Sequence, residues 1–310
     1  MPEMPPTVPG IADTALTPRV EEEITLTLSQ RQLAWRRFKQ NKLAMASIFI
    51  LALISVAVVV GPFFTGYNYH EQDFTARLEA PSAQHWMGTD TLGRDELTRV
   101  LYGGRVSIAV GLGVAIVASL IGTLIGALAG FYGGRLDNLL MRVTDLFLSI
   151  PFLVVLVIAA NALGGSVLAI VAVLAMFFWM GDARIVRGVI LSLKEKEFVE
   201  AAKASGASNR RIILSHLVPN TMGPIIVNTT LAVVAAILTE SVLSFLGFGI
   251  QPPVPTWGNL LNDAQSAMTL APWLVWFPGL AIFITVLCVN FIGDGLRDAL
   301  DPQQKIGVSE

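Results

Sequence analysis

Six stretches of the chain, at residues 43–64, 106–131, 139–160, 163–181, 223–246 and 272–292, are apolar almost throughout, with polar and charged positions gathered between them. A hydrocarbon layer about 30 Å thick is crossed by roughly 20 helical residues rising about 1.5 Å each, so each stretch reads as a membrane-spanning helix. The stretch 163–181 is the shortest. Omitting it would put the N-terminal segment and the polar segment 182–222 on opposite faces of the membrane, against the distribution of charge. The pattern predicts an all-α integral membrane protein of six spans in a single domain over 43–293, with a long loop at 65–105 and a second polar loop at 182–222.

Charge orients the spans. With the N-terminal segment, the turn after the second span, the loop 182–222 and the C-terminal segment on one side, that side holds 17 Lys and Arg; the other holds Arg77, Arg94, Arg99 and Arg105, in a loop with six acids. Because cytoplasmic flanks collect positive charge, both termini are expected inside. Residues 1–30 contain Pro2, Pro5, Pro6, Pro9, Pro18 and the acids Glu21 to Glu23, without a basic segment leading into an apolar one. They are expected to be a disordered cytoplasmic tail rather than a cleaved signal. Residues 31–42 suit either a basic amphipathic helix on the inner membrane surface or a positive flank that orients the first span. Residues 294–310 are expected to be a second cytoplasmic tail.

Composition agrees with the pattern and excludes several chemistries. The chain of 310 residues is 54% hydrophobic and 14% charged, more apolar than one soluble core would use. A formal net charge of −2 predicts no nucleic-acid partner, because binding nucleic acid needs clustered, unbalanced Lys and Arg. Cys288 is the single cysteine and lies in an apolar run, so no disulfide or metal framework is available within the chain. No phosphate-binding loop, nucleophile elbow or zinc helix occurs, and the three histidines, His70, His85 and His216, are scattered. Neither a cofactor nor a metal is expected, and no catalytic residue.

Within the spans, Gly122, Gly126 and Gly130 fall on one face of the second helix, where small side chains permit close packing. Either a gate or subunit interface or ordinary internal packing would use such a face. Pro151 and Pro278 invite kinks. Glu240 lies near the outer end of the fifth span and is a candidate for the translocation path or for a structural partnership. Arg142 and Asp145, one turn apart, are expected to pair with each other or with backbone.

The loop 182–222 divides at Gly206. Good helix formers occupy 194–205, and Gly206 suits a left-handed cap. Ser208 or Asn209 can then cap a second helix that ends near Pro219. Two short helices set at an angle make either a docking protrusion or a solvated connection. In the loop 65–105, Gly88, Gly93, Gly103 and Gly104 punctuate a segment whose Asp90, Arg94, Asp95 and Arg99 can pair with one another, with Trp86 and Tyr102 at headgroup level. This reads as an ordered outer cap that contacts a partner or seals the bundle.

Glu200-Ala201-Ala202, followed by Gly206 and Pro219, resembles the Glu-Ala-Ala loop of permease subunits of ATP-binding-cassette importers. His216 and Val218 stand where the general pattern has Ile and Leu, and the segment Arg211-Ile212-Ile213-Leu214-Ser215-His216-Leu217-Val218-Pro219-Asn220 is similar to the peptide-permease variant. His85-Trp86-Met87-Gly88-Thr89-Asp90-Thr91-Leu92-Gly93-Arg94-Asp95 resembles the block after the first span of dipeptide and oligopeptide permeases. Ser244-Phe245-Leu246-Gly247-Phe248-Gly249-Ile250-Gln251-Pro252-Pro253 with Trp257-Gly258 resembles their last outer loop, and Gly293-Asp294-Gly295-Leu296-Arg297-Asp298 their C-terminus. An outer block directly after a single span resembles the C-type subunit.

The resemblance implies a non-catalytic subunit of type I importer architecture in a prokaryotic inner membrane. Glu200, Ala201, Ala202, Gly206, Arg211, His216 and Pro219 would form the coupling loop held by the ATPase subunits. Trp86, Asp90, Arg94, Asp95 and Trp257 are candidates to meet a binding protein. Implied partners are a second homologous permease, two ATPase subunits that use ATP and Mg, an extracytoplasmic binding protein and a peptide cargo. Glutathione or nickel complexes are alternative cargoes. An ion-coupled secondary transporter would need its own ion site and paired inverted halves, and an intramembrane protease a Ser/His pair or two acids at depth; neither set is visible.

Overall fold

The computed structural model describes residues 30–301, so the tail expected over 1–30 and the segment beyond 301 lie almost wholly outside the described residues. Among the described residues the chain is helical, with a single isolated bridge between Thr89 and Asp95. The helices are α1 (Gln30–Gln40), α2 (Lys42–Val60), α3 (Glu96–Tyr132), α4 (Gly134–Ser149), α5 (Phe152–Leu163), α6 (Val167–Leu193), α7 (Glu197–Ala204), α8 (Asn209–Phe245), α9 (Trp257–Ala264) and α10 (Trp273–Leu300).

Five helices, α2, α3, α6, α8 and α10, are long and apolar enough to cross a membrane; the count rises to six if α4 and α5 form one span. Those two are bent by 88°. The span expected over 139–160 is therefore broken at Pro151, where the sequence predicts a kink. The proline ring disfavours helical geometry in the residue before it, and Ile150 is extended at φ −80° and ψ 137°. Pro278, by contrast, is accommodated within an unbroken α10.

The spans run well past their apolar centres. α3 begins at Glu96, inside the segment expected to be loop, because Asp95 caps it by accepting from the Thr98 backbone at 2.8 Å. α6 continues through Asp182, Arg184 and Arg187, which had been assigned to the loop. α10 continues to Leu300. At the other chain end α1 does form, and Asn41 separates it from α2 by accepting from the Ala44 amide at 3.1 Å.

Pro219 does not end a helix. Residues Ile212–Leu217 wind as a π-helix, with the Val218 amide donating to the Ile213 carbonyl, and the chain runs on without a break into α8. Proline cannot donate and its ring crowds the carbonyl four residues earlier; a wider turn just ahead of it relieves the crowding and keeps the helix continuous.

The glycine row of α3 packs inside the chain. A methyl group at Gly122 would stand 2.5 Å from the Asp182 Cβ and 2.6 Å from the Trp179 carbonyl, and one at Gly126 would collide with the Ala183 carbonyl. α3 and α6 therefore meet backbone to backbone, which small residues allow. Val110, Val114, Leu156, Ile170, Leu174 and Leu243 form the main core around this contact.

Two contacts fix which elements share an end of the bundle. Gly223, early in α8, lies against the Leu300 side chain at the C-terminal end of α10, and Phe38 of α1 is buried against Ala44 and Ala299. The first and last described helices thus meet the bundle at the end that carries the α6–α8 connection.

Candidate functional site

The connection between α6 and α8 is a folded protrusion. α7 ends in a cap in which the Gly206 amide donates to the Lys203 carbonyl at 2.9 Å and the Ala207 amide to the Ala202 carbonyl at 3.0 Å. Gly206 has φ +76° with open space around it, so the backbone angle rather than crowding selects glycine. Ser208 then caps the next helix. Val199 is fully buried and packs with Ile190, Ile212, Ile213 and Leu217, while Ala202 and Ala207 close the edge of this small core.

What remains outside is a polar, small-residue face. Glu200, Ala201, Lys203, Ala204, Gly206, Arg210, Arg211 and Pro219 are exposed, and Ala202 and His216 are half-buried. Asn220 donates its side-chain amide to the His216 carbonyl at 2.6 Å, which fixes the turn ahead of α8. The residues expected to form a coupling loop thus lie on this one protrusion, Glu200, Ala201, Gly206, Arg211 and Pro219 exposed and Ala202 and His216 half-buried.

The loop 65–95 and the first turns of α3 behave differently, because the characteristic side chains are spent on internal bonds. Asp90 accepts from the Leu92 and Arg94 amides at 2.8 and 2.9 Å, from the Arg94 Nε at 2.6 Å and from Arg99. Arg94 and Arg99 both reach on to Asp263, at 3.2 and 2.9 Å. Asp95 pairs with His85 at 2.9 Å and caps α3, so the expected four-residue charge cluster is corrected: Asp263 joins it and Asp95 leaves it. Gly93, at φ +73°, abuts the Asp73 backbone and admits no side chain. Thr75 donates its hydroxyl and its amide to Asp73, which holds that carboxyl below the usual carboxylate range.

All four arginines at this end are engaged. Arg77 donates to the Thr91 carbonyl at 2.6 Å, and Arg105 to the Val58 and Val59 carbonyls at 2.6 and 2.5 Å, where it caps α2. Of the residues expected to meet a partner here, Asp90, Asp95 and Trp257 are buried and Arg94 is nearly so; Trp86 is 72% exposed. The Trp257 indole donates to the Val100 carbonyl at 2.9 Å, beside Gly104 of α3, whose missing side chain admits the ring.

Glu240 has no exposed surface. Its carboxylate accepts from Ser244 at 2.7 Å and from Ser107 at 3.3 Å, and the Ser107 hydroxyl in turn accepts from the Trp257 amide at 3.2 Å. The acid thus ties α3, α8 and the start of α9 together, as a buried carboxylate with donors can. Asp145 pairs with Arg184 of α6 at 2.5 Å rather than with Arg142, and Asp137 of α4 with Arg187 at 2.5 and 2.7 Å. Asp182 accepts from Asn228 at 2.6 Å, well inside the bundle. The sequence signal for that pair was present, a lone Asn in an apolar run, but Asp182 had been assigned to the loop.

Together these features define a polytopic membrane protein in which paired charges hold helices and the cap in place, and which displays a folded, charged protrusion between two spans. No cluster of metal ligands occurs among the described residues. The chain belongs to the family described as the binding-protein-dependent transport system inner membrane component, whose model matches residues 122–306; a second model, the N-terminal TM domain of oligopeptide transport permease C, matches residues 29–81.

Relatives agree over most of both chains. The chain is 46% identical to the dipeptide transport system permease protein DppC of Bacillus subtilis, covering 89% of this chain and 87% of that one. It is 46% identical to the oligopeptide transport system permease protein OppC of Escherichia coli, covering 88% and 91%. To OppC of Mycobacterium tuberculosis it is 42% identical over 89% and 96%. It is a multi-pass inner-membrane permease subunit of an ATP-binding-cassette importer, and not an enzyme.

Proposed function

We propose that this chain forms half of the translocation pathway of an ATP-driven importer of di- or oligopeptides, beside a second homologous permease. Two ATPase subunits grip the protrusion at Glu200, Ala201, Ala202, Gly206, Arg211, His216 and Pro219, and an extracytoplasmic binding protein delivers the cargo. The observation that carries this reading is the protrusion itself: α7, its glycine cap and the start of α8 form a folded body with its own core and an exposed charged face. Because α8 continues from it without a break, a push on the protrusion moves a span as a lever rather than bending a loop. The relatives, named as dipeptide and oligopeptide permeases, support the cargo class.

The protrusion, both termini and the positive flanks face the cytoplasm in this reading. At the other end Trp86 is the exposed contact offered to the binding protein, while Asp90, Arg94, Asp95 and Trp257 hold the cap in shape behind it. Glu240 supports the wall of the path by fixing α3 to α8. The test is accumulation of a labelled tripeptide in proteoliposomes holding the complete transporter, with binding protein outside and ATP inside. The reading predicts ATP-dependent uptake competed by other peptides. Uptake without ATP, or no uptake of any peptide, contradicts it.

A further inference from the structure

The helix α1 is anchored to the end of α10 by Phe38 and Arg37, yet presents an exposed basic face. Phe38 is 3% exposed and sits against Ala44 and Ala299, and Gly295 lacks the side chain that would stand 3.2 Å from its ring. Arg37 donates to the Asp301 carbonyl at 3.0 Å, at the C-terminal end of α10. With Phe38 pointing inward, successive residues turn about 100° around the helix, which puts Trp35, Lys39 and Arg36 side by side on an outward arc. All three are exposed, as is Lys42 at the start of α2. The Lys39 ammonium lies 5.1 Å from the centre of the Trp35 ring. Among the described residues, Arg36, Lys39 and Lys42 make no ion pair, and the helix carries no acid.

We infer that this face is a binding site for the headgroups of anionic phospholipids. Its position supplies the argument: α1 ends at Gln40 and the first span starts at Lys42, so the arc lies at the level where headgroups begin. Its chemistry is complementary, with cations for the phosphates and an exposed indole, which favours the membrane–water interface. The contacts of Phe38 and Arg37 tie the occupant's position to the end of α10 rather than to a free tail.

The test uses the complete transporter in nanodiscs of phosphatidylcholine with 20% phosphatidylglycerol as the probe lipid, one or the other brominated near the headgroup. Trp35 is isolated as the difference in quenching between the wild type and Trp35→Phe. The proposal predicts phosphatidylglycerol around Trp35 at about twofold or more over its bulk fraction, as expected where several basic groups meet an anionic lipid. It predicts loss of that enrichment in Arg36→Gln/Lys39→Gln/Lys42→Gln, whose exposed substitutions leave the packing of Phe38 in place. Equal quenching by both lipids, or enrichment unchanged in the triple variant, would overturn it. So would protection from both quenchers that disappears when the ATPase subunits are stripped away, since the face would then belong to a protein partner.

Discussion

Asn228 donates its side-chain amide to the Asp182 carboxylate at 2.6 Å, clamping α6 to α8, the two helices that lead into and out of the exposed protrusion. The second carboxylate oxygen of Asp182 is buried and has no hydrogen-bond partner among the described residues. Replacing Asp182 by Ala leaves the amide of Asn228 unpaired within the bundle, which costs about 1–3 kcal/mol. Asp182→Asn, which keeps an acceptor, should cost less. Thermal denaturation of the purified transporter should rank wild type above Asp182→Asn above Asp182→Ala; Asp182→Ala equal to wild type would remove the clamp from the account.

The α3–α6 contact predicts a contrast between two glycines on one helix. Gly126→Ala forces a methyl group onto the Ala183 carbonyl, and backbone shifts of that kind cost about 1–3 kcal/mol. At Gly113 the nearest atoms, on Val171, would be 3.5 Å from an added methyl, an ordinary contact, so Gly113→Ala should be neutral or gain up to about 1 kcal/mol of helix propensity. Yield and melting temperature of the two variants check the contrast.

In the cap, Asp90 is the acceptor for two arginines and two backbone amides. Asp90→Ala strands buried positive charge and should cost about 3–5 kcal/mol, read as protease sensitivity of the 65–95 segment. Asp263→Asn should cost much less, because its side chain is 35% exposed and its partners keep Asp90. Trp86→Ala should leave the melting temperature unchanged while weakening capture of the binding protein; unchanged capture would remove Trp86 from the docking surface.

The cap at Gly206 predicts an order of effects set by its backbone angle and its amide. At φ +76° with nothing nearby, Gly206→Asn is tolerated best, Gly206→Ala costs about 1–2 kcal/mol, and Gly206→Pro is excluded by its fixed φ and lost amide. Retention of the ATPase subunits during purification should fall in the same order.

The centres of the spans were legible because about 20 consecutive apolar residues have few other uses. Their ends were not, because charge in a helix reads as loop unless its partner is known. Glu96 and Arg99 are helical and buried at the start of α3, and Arg187 is helical against Asp137. Arg142 and Asp145 made a plausible pair by spacing, but the tertiary partner Arg184, from another helix, takes Asp145. Pro219 read as a stop because its missing amide is visible in sequence, whereas the π turn that accommodates it is not. The Gly206 cap was legible because its left-handed angle is a requirement that residue type alone reveals, at the end of a run of good helix formers.

Co-purification of the ATPase subunits with a Glu200→Arg permease tests the central claim most directly. Glu200 is exposed, so the variant should insert and melt like wild type. The account predicts that the ATPase subunits no longer stay bound and that ATP-driven uptake falls with them. A folded Glu200→Arg variant that retains its ATPase subunits and transports at the wild-type rate would contradict it.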